Sequence, residues 1–412
     1  MNESLLVNGD RLWQSLMEAA QVGATPRGGC NRQALTDGDR EVRQLFTHWC
    51  EAAGLTVRVD QMGNMFARRK GASNDLPPVV AGSHLDTQPT VGKFDGVFGV
   101  LGALEVVRTL NDAGVETTHP IEIVNWTNEE GARFPPAMVA SGVWCGEFDL
   151  EYGYSRTDPD GLTLGDELKR IGYAGEVPCK PFPIKAAFEM HIEQGPILEA
   201  EGLSVGVVTG VQGMNWYDVV LGGDPVHAGP TPMESRRDPM MGLHAILRRL
   251  YEMADERKPW GRVTFGCIGV EPSSRNTVPE TLTMSVDIRH PEQAVLDEMD
   301  AKLKSIVAEE SARLGLDGEV RTIWLSPAVA FDPACVAAVR GAAEMLGCGH
   351  RDIVSGAGHD SVYVSRVAPT SMIFVPCENG ISHNEAENAK PEDLEAGCNV
   401  LLHAVLDRAN SN

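Results

Sequence analysis

Two adjacent glutamates, Glu129 and Glu130, stand in the segment NWTNEEGARF. His84, Asp95, His191 and His383 lie near glycines in GSHLDTQPTVGKFDG, FEMHIEQGP and GISHNEAE. Imidazole and carboxylate are the donors that Zn²⁺ prefers, and Mn²⁺, Co²⁺ or Ni²⁺ can use the same set. Adjacent acids can divide the labour of hydrolysis. Glu130 can bind metal while Glu129 stays free to move a proton, and a metal-activated water needs both jobs done. Elsewhere an EE pair reads as an exposed acidic turn and a lone histidine as a core residue. Here the surrounding donors favour a site for two cations sharing Asp95, whose two oxygens can bridge; the plainer alternative for Asp95 alone is a helix cap. His84 and Asp86 form an H-x-D unit, in which the Asp86 carboxylate is expected to accept the ring N–H and set the tautomer.

These side chains need elements to hold them, and the hydrophobic pattern supplies candidates. Val42, Leu45, Phe46 and Trp49 recur at helical spacing between Thr36 and Gly54, behind a capping box of Thr36 and Asp39. TVRVD (56–60) and NMFARR (64–69) read as a hairpin, and the apolar run 79–83 ends at His84. A helix over 96–113 and a strand over 121–126 follow, the latter stopping just before Glu129, while His191 ends the alternating strand AAFEMHI. Strand, ligand, helix, strand, ligand is an α/β pattern, in which ligands gather at the carboxyl ends of strands.

The style changes near Gly213. A strand at 216–221, a helix at 239–253, strands at 263–270 and 281–289, a helix at 293–314 and a strand at 320–324 follow the β-α-β-β-α-β order of a ferredoxin-like domain. After Ser326 the α/β style resumes. A helix at 333–346, strands at 352–355 and 372–376 and a last helix at 391–409 complete it. The expected organisation is a catalytic domain in two parts, 1–212 and 327–412, interrupted by an inserted lid or dimerisation domain at 213–326.

Composition narrows the function classes. At 412 residues the chain is long enough for two or three domains, and its formal charge of −23 repels nucleic acid and anionic membranes. An anionic substrate would need local arginine, and Arg289, in DIR at a strand end, offers a guanidinium fork; a salt bridge to Asp287 or Asp238 is the alternative. His227, beside Ala228 and Gly229, can donate to a developing oxyanion, or can simply serve a turn. His359 and Asp360 in SGAGHDS would support a substrate loop. Nine scattered cysteines without a CxxC pair suit a reducing compartment. With neither signal peptide nor membrane span legible, a cytoplasmic location is expected. The absence of a G-x-S-x-G elbow argues against a serine hydrolase.

Together, HLDTQPTVGKFDG, NEEGARF, HIEQGP, HAGPTPMESRRD, RNTVP, DIR, SGAGHD and SHNEAE resemble the hydantoinase/carbamoylase branch of the dizinc amidohydrolases and peptidases, over nearly the whole chain. The resemblance implies a dizinc aminopeptidase-like catalytic domain with the ferredoxin-like α+β insertion. It assigns His84, Asp95 and His191 to one metal, Asp95, Glu130 and His383 to the other, and Glu129 as general base. Gln194, Asn276, Arg289 and the backbone at Gly358 would hold the substrate, Arg289 on its carboxylate. It also implies a homodimer in which His227 reaches the neighbouring active site. Pro230 after Gly229 and Glu280 after Pro279 depart from the family pattern and affect loop geometry. The implied activity is hydrolysis of N-carbamoyl-L-amino acids to amino acid, carbon dioxide and ammonia. N-carbamoyl-β-alanine or allantoate hydrolysis, a dizinc aminopeptidase or aminoacylase, and a non-catalytic metal-binding protein are the alternatives.

Overall fold

Short apolar runs buried on both faces build the larger of two sheets. In a computed structural model that describes residues 5–411, these runs are β3 (Val79–His84), β4 (Ile121–Trp126) and β5 (Ala186–Ile192), preceded by the hairpin β1 (Thr56–Val59) and β2 (Met65–Arg69) and followed by β6 (Val205–Val211). Every residue of β3, β4 and β5 is buried, as parallel strands covered by helices must be. The alternation read in AAFEMHI therefore does not mark a solvent face: Glu189 and His191 point into protein, not water.

The chain forms two compact units, 1–209 with 331–412, and 210–330. In the second unit, β7 (Gly213–Gly222), β8 (Arg262–Thr264), β9 (Ile268–Glu271), β10 (Thr281–His290) and β11 (Asp317–Ser326) make an antiparallel sheet ordered β11-β7-β10-β8, with β9 also on β10. Helices Pro239–Asp255 and Gln293–Leu314 cover one face, where Val219, Leu221, Ile246, Leu250, Met284, Met299 and Leu303 form the core. This is the ferredoxin-like arrangement. The single strand expected over 263–270 is split because Phe265, Gly266 and Cys267 stand opposite only Ser285 and Val286, a bulge pinned by the Cys267 N–H on Ser285 Oγ at 2.9 Å.

After β12 (Val329–Ala330) the chain adds β13 (His350–Ser355) and β14 (Thr370–Val375), and helices Pro333–Met345 and Pro391–Asn410. The sheet of the first unit runs β1-β2-β4-β3-β5-β14-β6. Its four central strands, β4, β3, β5 and β14, are mutually parallel, so their carboxyl ends meet along one edge. The N-cap of helix Asp37–Ala52 is Thr36, as its sequence implied; the Asp39 carboxylate, however, takes the Leu35 N–H at 2.8 Å and pairs with buried Arg43 at 2.9 Å. Among the described residues no helix is long and apolar enough to cross a membrane, and all nine cysteines are free.

Candidate two-metal active site

Four neighbouring parallel strands deliver the donors. β4 leads to Glu129 and Glu130, β3 ends at His84, β5 carries His191, and β14 leads to the segment with His383. Asp95 comes from the loop after β3, and Gly96 is what lets it in: with φ 67, its missing Cβ would lie 2.3 Å from the His84 ring. Three non-glycine residues beside the site, Asn128, Gln194 and His383, also hold positive φ of 57, 56 and 52. Such strain persists where surrounding contacts over-determine the backbone.

Ligating atoms of His84, Asp95 and His191 lie within 4.8 Å of one another, as do those of Asp95, Glu130 and His383. Asp95 Oδ1 is 3.6 Å from His84 Nε2 and 3.2 Å from His191 Nε2, while Oδ2 is 3.6 Å from His383 Nε2. Glu130 Oε2 stands 3.5 Å from His383 Nε2, and Glu129 Oε2 stands 3.5 Å from His84 Nε2. His383 is half exposed; the other ligating side chains are buried or nearly so.

The tautomers test whether cations fit. His84 Nδ1 donates to the Asp86 carbonyl at 2.9 Å, and His191 Nδ1 donates to the Ile192 carbonyl at 2.9 Å. His84, lowered to about 4 by burial, is neutral, so its Nε2 presents a lone pair toward the Asp95 carboxylate, a repulsive arrangement that an intervening cation makes attractive, while His191 Nε2 lies 3.1 Å from the Gly96 N–H. The acids tell the same story. Burial lifts Glu129 well above the usual carboxylate range, reinforced by Asp360 and Glu130, and burial with the charge of Asp95 does the same for Glu130. Burial also acts to raise Asp95, but the three histidines overcome it and hold it low. Crowded carboxylates in a buried site are relieved by positive charge, so these residues fit a pair of divalent cations.

One expectation is corrected. Asp86 steadies His84 through its backbone carbonyl, while its carboxylate accepts the N–H groups of Glu129 at 3.3 Å and Glu130 at 3.4 Å. The side chain clamps the EE loop instead of the imidazole, because β3 and β4 are parallel neighbours and the Glu129 amide falls within its reach.

Gln194 Nε2 donates to Asp95 Oδ2 at 2.9 Å, and its buried Oε1 has no partner among the described residues. Gly358 lies in the loop after β13, next to His359, whose ring packs 4.7 Å from that of His191 and whose Nε2 meets Ser355 Oγ at 3.1 Å. In the second unit, the Ala228 N–H donates to the Asn276 carbonyl at 2.9 Å and His227 bridges to Thr277, so His227 and Asn276 share one short ladder. The His227 ring is exposed, and its Nδ1 accepts the Gly229 N–H at 3.0 Å, which keeps the ring proton on Nε2. On β10, Arg289 pairs with Asp287 at 2.7 Å, while Asp238 caps helix Pro239–Asp255 instead.

Sequence reasoning missed the residues that hold the donors. Gln88 grips Glu130 through Nε2 at 2.7 Å, Ser382 donates to Asp95 at 3.2 Å, and Glu189 accepts Ser83 Oγ at 2.7 Å and Ser361 Oγ at 2.6 Å. All but Ser361 sit within a few residues of a named ligand, which is the one signal that could have found them.

Residues 80–407 match the family model of peptidase family M20/M25/M40. The chain is 51% identical to the N-carbamoyl-L-amino-acid amidohydrolase of Rhizobium meliloti, covering 99% of this chain and 98% of that one. It is 34% identical to the allantoate amidohydrolase of Bacillus subtilis, over 93% of each. Among solved structures, an amidase of the hydantoinase/carbamoylase family from Burkholderia multivorans superposes with a TM-score of 0.95 at 58% identity, covering 99% of both chains. With the fold, the donor pattern and the full-length likeness in agreement, this chain belongs to peptidase family M20/M25/M40, in its hydantoinase/carbamoylase branch of amidohydrolases.

Proposed function

We propose that the protein hydrolyses the carbamoyl C–N bond of N-carbamoyl-L-amino acids, giving the free amino acid, carbon dioxide and ammonia. The observation that carries hydrolysis is the pair of donor groups sharing Asp95, with Glu129 placed beside them and left out of both. Full-length likeness to the Rhizobium meliloti amidohydrolase supports the ureido substrate class.

His84, Asp95 and His191 would hold one cation and Asp95, Glu130 and His383 the other, Zn²⁺ suiting this donor set. When bound, the cations supply Lewis acidity toward the substrate carbonyl and the attacking water. Glu129 takes the proton of that water and returns it to the leaving nitrogen. The free Gln194 Oε1 accepts a ureido N–H, a partner that an ordinary acyl group lacks. Arg289 and Asn276 hold the substrate carboxylate, and the Gly358 backbone is a further substrate contact.

His227 offers its Nε2–H to the oxygen on which charge develops, from the partner subunit of a homodimer. His227→Ala is expected to lower kcat by about 10²- to 10³-fold, the cost of losing one oxyanion donor. Mixing His227→Ala with Glu129→Gln chains should restore activity, because a hybrid dimer rebuilds one complete site. No recovery in exchanged, verified dimers would remove the contribution in trans. The free cysteines support a reducing, cytoplasmic setting.

The substrate class is tested with metal-reconstituted protein offered N-carbamoyl-L- and D-amino acids, N-carbamoyl-β-alanine, allantoate and a dipeptide, with ammonia or amino acid release as the readout. The largest kcat/KM is expected for an N-carbamoyl-L-amino acid. Preference for allantoate would move the protein to the activity named for its Bacillus subtilis relative, and preference for the dipeptide would overturn the ureido reading.

A further inference from the structure

His383 reaches the site on a segment with no regular structure, residues 381–390, between the short turn 378–380 and helix Pro391–Asn410. It is half exposed, and among the described residues no hydrogen bond to a backbone carbonyl like those of His84 and His191 orients its ring. Something else must keep this segment against the loop of Asp95.

We infer that Glu387 is a positioning residue that clamps the Asp95 loop to the His383 segment and thereby sets the affinity for the second cation, the one assigned to Asp95, Glu130 and His383. Glu387 is 4% exposed. Its Oε1 accepts the backbone N–H of Phe94 and of Asp95 itself, both at 3.3 Å, and its Oε2 lies 3.4 Å from Ser382 Oγ, one residue before His383. Ser382 Oγ in turn reaches Asp95 Oδ2 at 3.2 Å. One buried carboxylate thus touches the amide of one ligand residue and the hydroxyl next to another. The backbone is shaped for it: Asn384 turns the chain back through its carbonyl on the Glu387 N–H at 2.9 Å and its Oδ1 on the Ala386 N–H at 2.9 Å. Gly92 makes room, since a Cβ there would lie 2.5 Å from the Glu387 Cβ.

The two cations should not depend on this clamp equally. At the first, His84 and His191 come from β3 and β5 and are held by the Asp86 and Ile192 carbonyls, so only the shared Asp95 connects them to Glu387. At the second, Asp95 and His383 both hang on it. Partners that orient ligands typically cost 10- to 100-fold in metal affinity when removed.

The inference rests on the two-metal reading above, and the experiment separates the two. The full-length protein, stripped with chelator, is titrated with Mn²⁺ by calorimetry and electron paramagnetic resonance. Wild type should bind two ions. Glu387→Ala and Glu387→Asp should keep the first ion and weaken the second by about 10- to 100-fold, since aspartate retains the charge but not the reach. Glu387→Gln, whose amide oxygen can accept the same N–H groups, should stay within a few-fold of wild type. Melting curves of the stripped variants report folding, and if Glu387→Ala does not fold, the Asp and Gln pair decides. Equal weakening of both ions, undiminished binding in Glu387→Asp, or loss in Glu387→Gln alone would overturn the clamp. Fewer than two ions on wild type would overturn the two-metal reading itself, and this inference with it.

Discussion

Glu129→Gln is expected to lower kcat by about 10²- to 10⁴-fold, the range of a positioned general base, while leaving the bound metal unchanged. The substitution keeps size and shape and removes only the ability to take a proton. Glu129 belongs to neither donor group, so both cations should remain. Its backbone N–H on Asp86 and its carbonyl on the Met138 N–H at 2.7 Å are made by the main chain and survive any side-chain change. Without metal, burial already drives the Glu129 carboxyl toward its neutral form, so a neutral amide adds no new buried charge there. Steady-state kinetics beside metal analysis check this. A near-normal rate with full metal would strip Glu129 of its assigned role, whereas a low rate with lost metal would mean that it ligates.

Removing the cations should abolish turnover and make stability depend on pH in a defined direction. Without metal, burial lowers His191, but its bond to Asp95 overrides this and holds it up to about 9. Glu129 and Glu130 are raised by burial, and so are Asp86, to about 7, and Glu387, to about 8. Each of these groups binds its proton more tightly folded than unfolded. From the unfolded histidine value near 6.5 up to about 9, the folded chain therefore carries the excess protons, and stability falls as pH rises. Each excess proton contributes a slope of about 1.4 kcal/mol per pH unit. His84, lowered to about 4 by burial, acts in the opposite sense only below about 6.5 and does not disturb this window. Bound cations replace the protons, so the metal-loaded protein should show a much flatter profile. Denaturant unfolding at pH 7 and pH 8.5, with and without chelator, measures the difference. Added Zn²⁺ or Mn²⁺ should restore activity. Full activity in protein shown to be metal-free would overturn the site, and equal slopes with and without metal would show that these groups do not face the cations.

Much of this was legible from residues. The apolar content of short segments located β3, β4, β5 and helix Gln293–Leu314 to within a residue or so, because burial of apolar side chains is a local demand. The β-α-β-β-α-β order was enough to expect the ferredoxin-like sheet, since few topologies accommodate it. Less legible were features that depend on a neighbour. The bulge splitting β8 from β9 arises from the count of residues on β10 opposite, and the full burial of AAFEMHI from strands on both of its sides.

From the chain alone came the chemical inventory: imidazoles and carboxylates near glycines, two adjacent glutamates, and an arginine at a strand end. Side-chain chemistry is a property of the residue and survives without coordinates. Tertiary structure decided what each group touches. It gave the Asp86 carboxylate to the Glu129 and Glu130 amides and left His84 to a carbonyl; it brought Glu387 to Asp95 across 292 positions of chain. Hydrogen bonds reach about 3 Å, and which distant groups come that close is set by strand order, which no local pattern encodes.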